Sequence, residues 1–228
     1  MFKLVFIFRF SVLDFEDDSR YFTRLAAAFV RGRIEDLPEN LTDEEIIAHG
    51  LERGLRLHKF KRNTELARVK KVLGVLQGLN PSTLLDIGSG RGTFLFPLLD
   101  NFAWLKTFSI ELNPIRARDI HALYKGGVES VHATMMSATE LGFEDKAFDV
   151  VTALEVLEHM EEAQKAAREI VRVASRFVVA SVPSKEDDNP EHIQLFDKES
   201  LMKLFMEAGA QSVKIDYVLN HIIAVVKV

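Results

Sequence analysis

The 228-residue chain has no cysteine, one tryptophan and no repeat or low-complexity tract. The missing thiols exclude disulfides, thiolate metal centres and cysteine nucleophiles, and say little about compartment. Long apolar runs are missing too. The unbroken run at the N-terminus covers residues 4–8 only, shorter than a secretory h-region or a membrane span, and no small-residue cleavage site follows it. Residues 1–12 are therefore expected to form an N-terminal strand, or to reflect a start site placed too far upstream. The expectation is a cytoplasmic protein without membrane contact. An excess of positive charge is also lacking: 29 Lys and Arg against 34 Asp and Glu leave a net charge of −5, which gives no global argument for nucleic-acid binding. Hydrophobic content of 47% argues against wholesale disorder, and the length suits one domain with an appendage.

Residues 14–80 read as mostly helical. Apolar residues recur at helical spacing over 21–30. Leu41-Thr42-Asp43-Glu44-Glu45 is an N-cap followed by acidic first-turn residues, opening a helix expected to run to about Leu57. A third helix is expected over 64–79, stopped by Asn80-Pro81. From Ser82 onward, short apolar runs alternate with helical stretches, the mark of βα units on a parallel sheet. The expected strands are 83–87, 107–111, 130–135, 148–154 and 177–182, then 212–217 and 222–228. The last two lie too close for a parallel crossover and must form an antiparallel hairpin. An ordinary dinucleotide fold would keep adding crossovers. The boundaries expected are a helical cap over 1–63 and an α/β domain over 64–228.

Asp86-Ile87-Gly88-Ser89-Gly90-Arg91-Gly92 falls where the first strand meets its helix. Glycines there let the backbone turn sharply and approach a ligand, and the helix start offers free N–H groups. The spacing is GxGxG rather than the GxGxxG of a pyrophosphate loop. The second strand ends in Ile110-Glu111-Leu112-Asn113, which sets a carboxylate beside that loop at the carboxyl edge of the sheet. Such an acid can accept both hydroxyls of a ribose.

These features resemble the class I, Rossmann-like S-adenosylmethionine-dependent methyltransferases. The resemblance runs from about Leu66 to the C-terminus and rests on residues 84–94, Glu111, Ser137-Ala138-Thr139-Glu140-Leu141-Gly142-Phe143, Phe148-Asp149-Val150-Val151 and Glu155-Val156-Leu157-Glu158-His159. It implies a seven-stranded α/β sheet of order 3-2-1-4-5-7-6, mostly parallel with the last strand antiparallel, and helices on both faces. It also implies S-adenosylmethionine as cofactor. The cofactor residues it implies are Asp86, Gly88, Ser89, Gly90 and Gly92 around the methionine moiety, Glu111 and Leu112 at the ribose, Ala138 and Thr139 at adenine, and Glu155. Ser137 stands where the family usually has aspartate.

Glu158, His159 and His192 are the candidate catalytic groups, the histidines as bases because imidazole titrates near neutrality. The set Glu155, Glu158, His159 and His192 resembles the divalent-cation sites of small-RNA 3′-terminal 2′-O-methyltransferases and ubiquinone-biosynthesis O-methyltransferases. A cation there would lower the pKa of the acceptor hydroxyls. Glu158-His159 also occurs as a structural pair in members without metal. Residues 53–71 hold Arg53, Arg56, Lys59, Lys61, Arg62, Arg68, Lys70 and Lys71 against Glu65. This run is either a basic cap over the substrate mouth, suited to RNA, or a solvated helix face. On the sequence alone the favoured reading is methyl transfer to oxygen or nitrogen of a small molecule. The alternatives are metal-assisted RNA 2′-O-methylation and a non-catalytic cofactor-binding module. A nicotinamide-dependent oxidoreductase is disfavoured by the GxGxG spacing and the closing hairpin.

Overall fold

A computed structural model describes residues 22–62, 66–186 and 188–228. The N-terminal strand expected over 1–12 lies outside the described residues, as do the expected start points Tyr21 and Thr64 of the first and third helices. Three helices precede the first strand: α1 (Thr23–Arg31), α2 (Asp43–Glu52) and α3 (Ala67–Leu79). The N-cap of α2 is Thr42, in a full capping box with Glu45. α2 stops at Glu52, short of the expected Leu57, because Gly54 turns the chain at φ +79° into a 3-10 turn at His58–Phe60. α3 ends as the sequence indicates, with Asn80 left-handed just ahead of Pro81.

The remaining elements are β1 (Thr83–Ile87), α4 (Leu95–Asn101), β2 (Lys106–Glu111), α5 (Pro114–Lys125), β3 (Val131–Met135), β4 (Phe148–Leu154), α6 (Ala163–Val173), β5 (Ala174–Pro183), α7 (Lys198–Glu207), β6 (Ser212–Val218) and β7 (His221–Lys227). The strands form one sheet in the order β3-β2-β1-β4-β5-β7-β6, as expected. β7 alone runs antiparallel, to β5 on one side and β6 on the other. The β6–β7 connection is Leu219-Asn220, both at positive φ, which gives a two-residue turn the twist of a tight hairpin.

Alternation along the strands sorts side chains to two faces. Leu84, Val150, Val179 and Ile223 join the core under α1–α5, whereas Leu85, Val151, Val178 and Ala224 join the core under α6 and α7. Both faces are covered, so the strands read as continuous apolar runs. α1 docks on α5 at backbone contact. A Cβ on Gly32 would sit 1.9 Å from the carbonyl oxygen of Ala122, and one on Gly126 would sit 1.7 Å from that of Ala28. Among the described residues no helix is long and apolar enough to cross a membrane.

The chain leaves β1 toward β2 and β3, then returns to β4 on the other side of β1. This is the topological switch point at which open α/β sheets bind ligands beyond their carboxyl edge.

Candidate functional site

At that edge lies a cleft of about 470 Å³, a size suited to a small-molecule ligand. Gly88 and Gly90 line it from the β1–α4 loop, Glu111, Leu112 and Arg116 from the end of β2 and the start of α5, and Ala138 from the segment after β3. Glu155, Val156 and His159 close it from the segment after β4.

Not all of the expected loop residues face this cleft. Asp86, Ser89 and Gly92 are absent from its lining and shape the loop instead, with Gly92 lining a separate cavity beside Phe96. The carboxylate of Asp86 is 2% exposed and accepts the hydroxyls of Ser89 at 2.5 Å and Thr152 at 2.8 Å. The Ser89 hydroxyl pairs in turn with that of Ser109 at 2.7 Å. Burial pushes the Asp86 carboxyl up to about 6; the Ser89 and Thr152 hydroxyls oppose that shift and the charge of Glu111 adds to it. Two glycines are dictated by space as well as by φ. At Gly88 (φ +68°) a Cβ would lie 2.8 Å from Val156, and at Gly92 (φ +88°) one would lie 2.4 Å from the ring of Phe96. The segment after β4 therefore closes directly on the loop, and Val156 is a cleft residue that the sequence reading missed. Met136, Met160 and Arg116, also in the lining, were missed as well. Their one signal was proximity to the motifs.

Glu111 is buried, and its two oxygens accept the amides of Gly90 at 2.8 Å and Asn113 at 3.2 Å. Each carboxylate oxygen keeps a further acceptor direction for ribose hydroxyls. Leu112, 66% exposed, offers an apolar surface beside it. Ala138 is in the lining while Thr139 is not. Thr139 instead donates its backbone N–H to the Ser137 hydroxyl at 3.2 Å, so Ser137, standing in the usual aspartate position, is spent on its own turn.

Of the four residues considered as metal ligands, Glu158, His159 and His192 converge, with one ligand atom from each within 4.8 Å of the others. Glu155 stands apart from this group. It holds a left-handed φ of +56°, accepts the Ser181 hydroxyl at 2.7 Å, and lies 3.1 Å from His221 Nε2 and 3.9 Å from Arg68. Its carboxylate ties β5, β7 and α3 together at the cleft wall. Such strain in a non-glycine residue clusters at functional sites.

The three that converge are well oriented. Glu158 is 1% exposed, and its carbonyl accepts the amides of Ile193 at 3.0 Å and Gln194 at 3.3 Å, clamping the 189–196 loop over the Leu157–His159 turn. His159 Nδ1 lies 2.8 Å from the carbonyl oxygen of Glu191. A carbonyl can only accept, so Nδ1 carries the proton and Nε2 presents its lone pair. The rings of His159 and His192 meet edge to face at 4.8 Å. His159 faces the first cleft, and His192 lines a second, of about 290 Å³, that runs beside the end of β5. One carboxylate and two imidazoles near metal-ligand spacing are a donor set for a first-row divalent cation, so the residues present fit such a group.

The basic run at 53–71 is not one surface. Arg53 pairs with Asp36 at 2.6 Å and Arg62 with Asp100 at 2.7 Å, Lys71 pairs with Asp216, and Arg68 turns to Glu155. Among the described residues of the expected cap, none of α1 or α2 lines the cleft. Instead α1 packs on α5, and α2 packs on α1.

Residues 85–176 match the model of a methyltransferase domain. The chain is 34% identical over 113 residues to a small RNA 2′-O-methyltransferase of Arabidopsis thaliana, covering 46% of this chain and 12% of that protein. It is 30% identical over 97 residues to norajmaline N-methyltransferase of Rauvolfia serpentina, covering 42% and 33% respectively. The chain thus spans a third or less of the length of these curated relatives. Among solved structures, an S-adenosylmethionine-dependent methyltransferase from Thermotoga maritima aligns with a TM-score of 0.58 at 17% identity, over 71% of this chain and 87% of that one. The methyltransferase domain of bacterial CtHen1-C aligns with a TM-score of 0.57 at 21% identity, over 71% and 97%. At these identities the structures speak to the fold.

Proposed function

We propose that the chain is a class I, Rossmann-like S-adenosylmethionine-dependent methyltransferase, a reading supported by the methyltransferase-domain match over residues 85–176 and the shared fold, and that it methylates a hydroxyl held at Glu158, His159 and His192. The finer reading is that the hydroxyl is the 2′-OH of a 3′-terminal ribose on RNA. The observation that carries it is the convergence of one buried carboxylate and two imidazoles, with His159 facing one cleft and His192 the other.

Gly88, Gly90, Glu111, Leu112 and Ala138 would hold the cofactor, with Asp86, Ser89, Gly92 and Thr139 shaping the backbone around it. S-adenosylmethionine supplies the methyl group: the acceptor O–C bond forms as the S–C bond breaks, and S-adenosylhomocysteine leaves. A divalent cation bound by Glu158, His159 and His192 would take up adjacent acceptor hydroxyls and lower their pKa. With Nδ1 of His159 held on the Glu191 carbonyl, Nε2 is the atom that would be offered to the cation, and the hydroxyl acidified there would lose its proton to solvent. Holding acceptor and donor in line would lower the barrier further. A small molecule bearing two neighbouring hydroxyls would satisfy the same cluster, and the match to a small-molecule N-methyltransferase keeps that class within the test.

The test offers labelled S-adenosylmethionine with three acceptors: RNA ending in a free 2′,3′-diol, the same RNA ending in a 3′-phosphate, and a small catechol. We expect transfer to the diol-ended RNA only, lost in chelator and restored by added Mn²⁺. Full activity in chelator would sink the metal-assisted reading, and preference for the catechol would sink the RNA one.

A further inference from the structure

A further cavity, of about 510 Å³, opens between the cap and the start of α5. Its lining brings together Arg33, Arg56, Lys59, Arg91, Arg116 and Arg118 from three separate parts of the chain. The one carboxylate in the lining is that of Asp119, which pairs with both Arg33 at 2.8 Å and Lys59 at 2.5 Å. Among the described residues no ion pair engages Arg56, Arg91 or Arg118. This contrasts with Arg53, Arg62 and Lys71 on the same stretch, each of which meets its own acid. A chain of net charge −5 has no need to gather so many cations in one concavity, and their mutual repulsion costs free energy unless an anion joins them.

The chemistry of the groove narrows the anion. The first amides of α5 are already taken by its N-cap, since Asn113 Oδ1 accepts from Ile115 and Arg116, so the attraction comes from side chains and not from the helix end. Guanidinium forks match phosphate oxygens two at a time, and five of the six cations are arginines. Arg56, Arg91 and Arg118, which meet no acid of their own among the described residues, carry more positive charge than one phosphodiester neutralises. Lys59 sits at its floor over the Phe29 ring, 4.0 Å from the centroid. Burial lowers its pKa despite the Asp119 partner. Arg116 lines both this groove and the methyl-donor cleft, so the two adjoin.

We propose that this groove binds successive phosphates of a single-stranded RNA acceptor and guides the strand to the rim of the cleft. The proposal rests on the nucleic-acid reading of the acceptor. It assigns RNA binding to a surface assembled from the cap, Arg91 and the start of α5, in place of the contiguous basic run at 53–71.

The test measures anisotropy of a labelled single-stranded RNA against salt concentration for the wild type, for Arg56→Glu with Arg118→Glu, and for Lys165→Glu with Lys203→Glu. The last pair makes the same change in net charge on exposed positions of α6 and α7, across the sheet. We expect the groove variant to bind at least about tenfold more weakly, with the slope of log K against log salt falling by about 0.7 for each phosphate that is no longer neutralised. The control variant should bind nearly as the wild type does, and calorimetric titration should give unchanged S-adenosylmethionine binding in all three. Equal weakening in both variants, unchanged binding in the groove variant, or binding of free ATP without binding of RNA would each overturn the proposal. Methyl transfer is not the readout, so failure of the metal-assisted hydroxyl chemistry and failure of the groove are seen separately.

Discussion

Asp86 shows how one residue can serve a site without touching its ligand. Its carboxyl is buried beneath the glycine loop, and that burial raises its pKa from 3.8 to about 6. Between those two values the folded chain holds a proton that the unfolded chain has released. Stability contributed at this position therefore falls as pH rises through the window and levels off above it. A shift of this size corresponds to about 3 kcal/mol. Asp86→Asn keeps the shape and removes the titration. Urea unfolding across pH 4 to 7 should show the wild type losing stability relative to the variant as pH rises, by an amount on that order. A difference that stays flat with pH would show that Asp86 is ionised throughout. Glu155 makes a related point: the sequence grouped it with Glu158 and His159 by proximity along the chain, but its left-handed backbone turns it toward Ser181 and His221.

At the scale of elements, the decisive feature is the docking of α1 on α5. Gly32 and Gly126 both have negative φ, so neither is required for its backbone freedom. Each is required for space, because a methyl group would collide with a carbonyl oxygen of the opposite helix. Backbone cannot yield as a side-chain tip does. Gly126→Ala should cost at least the 1–3 kcal/mol typical of overpacking, roughly, and should free the cap, with proteolytic cleavage between α2 and α3 rising as stability falls. If the melting temperature and the cleavage pattern are both unchanged, the close approach is not what fixes the cap. The same docking matters for the basic groove, whose two walls are the cap and α5.

At the scale of the whole molecule, ligand binding is linked to stability. A ligand that binds only the folded chain stabilises it by about 2.7 kcal/mol at a hundred times its Kd. For a chain of this size that is a rise of about 5–11 °C in melting temperature. S-adenosylmethionine should produce such a rise, and the shift should shrink in Glu111→Ala, which loses the acceptor expected at the ribose. NADH should produce none. A shift with NADH and none with S-adenosylmethionine would return the fold to the nicotinamide enzymes.

The sequence by itself determined the strands and their closing hairpin, because short apolar runs and connections too brief for a crossover are local properties of the chain, whereas the order of the strands followed only from the family resemblance. It also determined the glycine loop and the acid after β2, since both lie within a few residues of strand ends whose position the pattern fixes. Only the tertiary structure decided which residues share a cavity. It set Asp86, Ser89 and Gly92 outside the cleft lining and Val156 and Arg116 in its wall, separated Glu155 from Glu158, and joined His192 to His159 across a loop. It also dispersed the basic run at 53–71 into ion pairs and built a cationic groove from residues far apart in sequence. The physical reason is common to these cases. Spacing along the chain sets the direction of a side chain relative to its own element, whereas charge pairing and burial depend on what other elements bring to the same place.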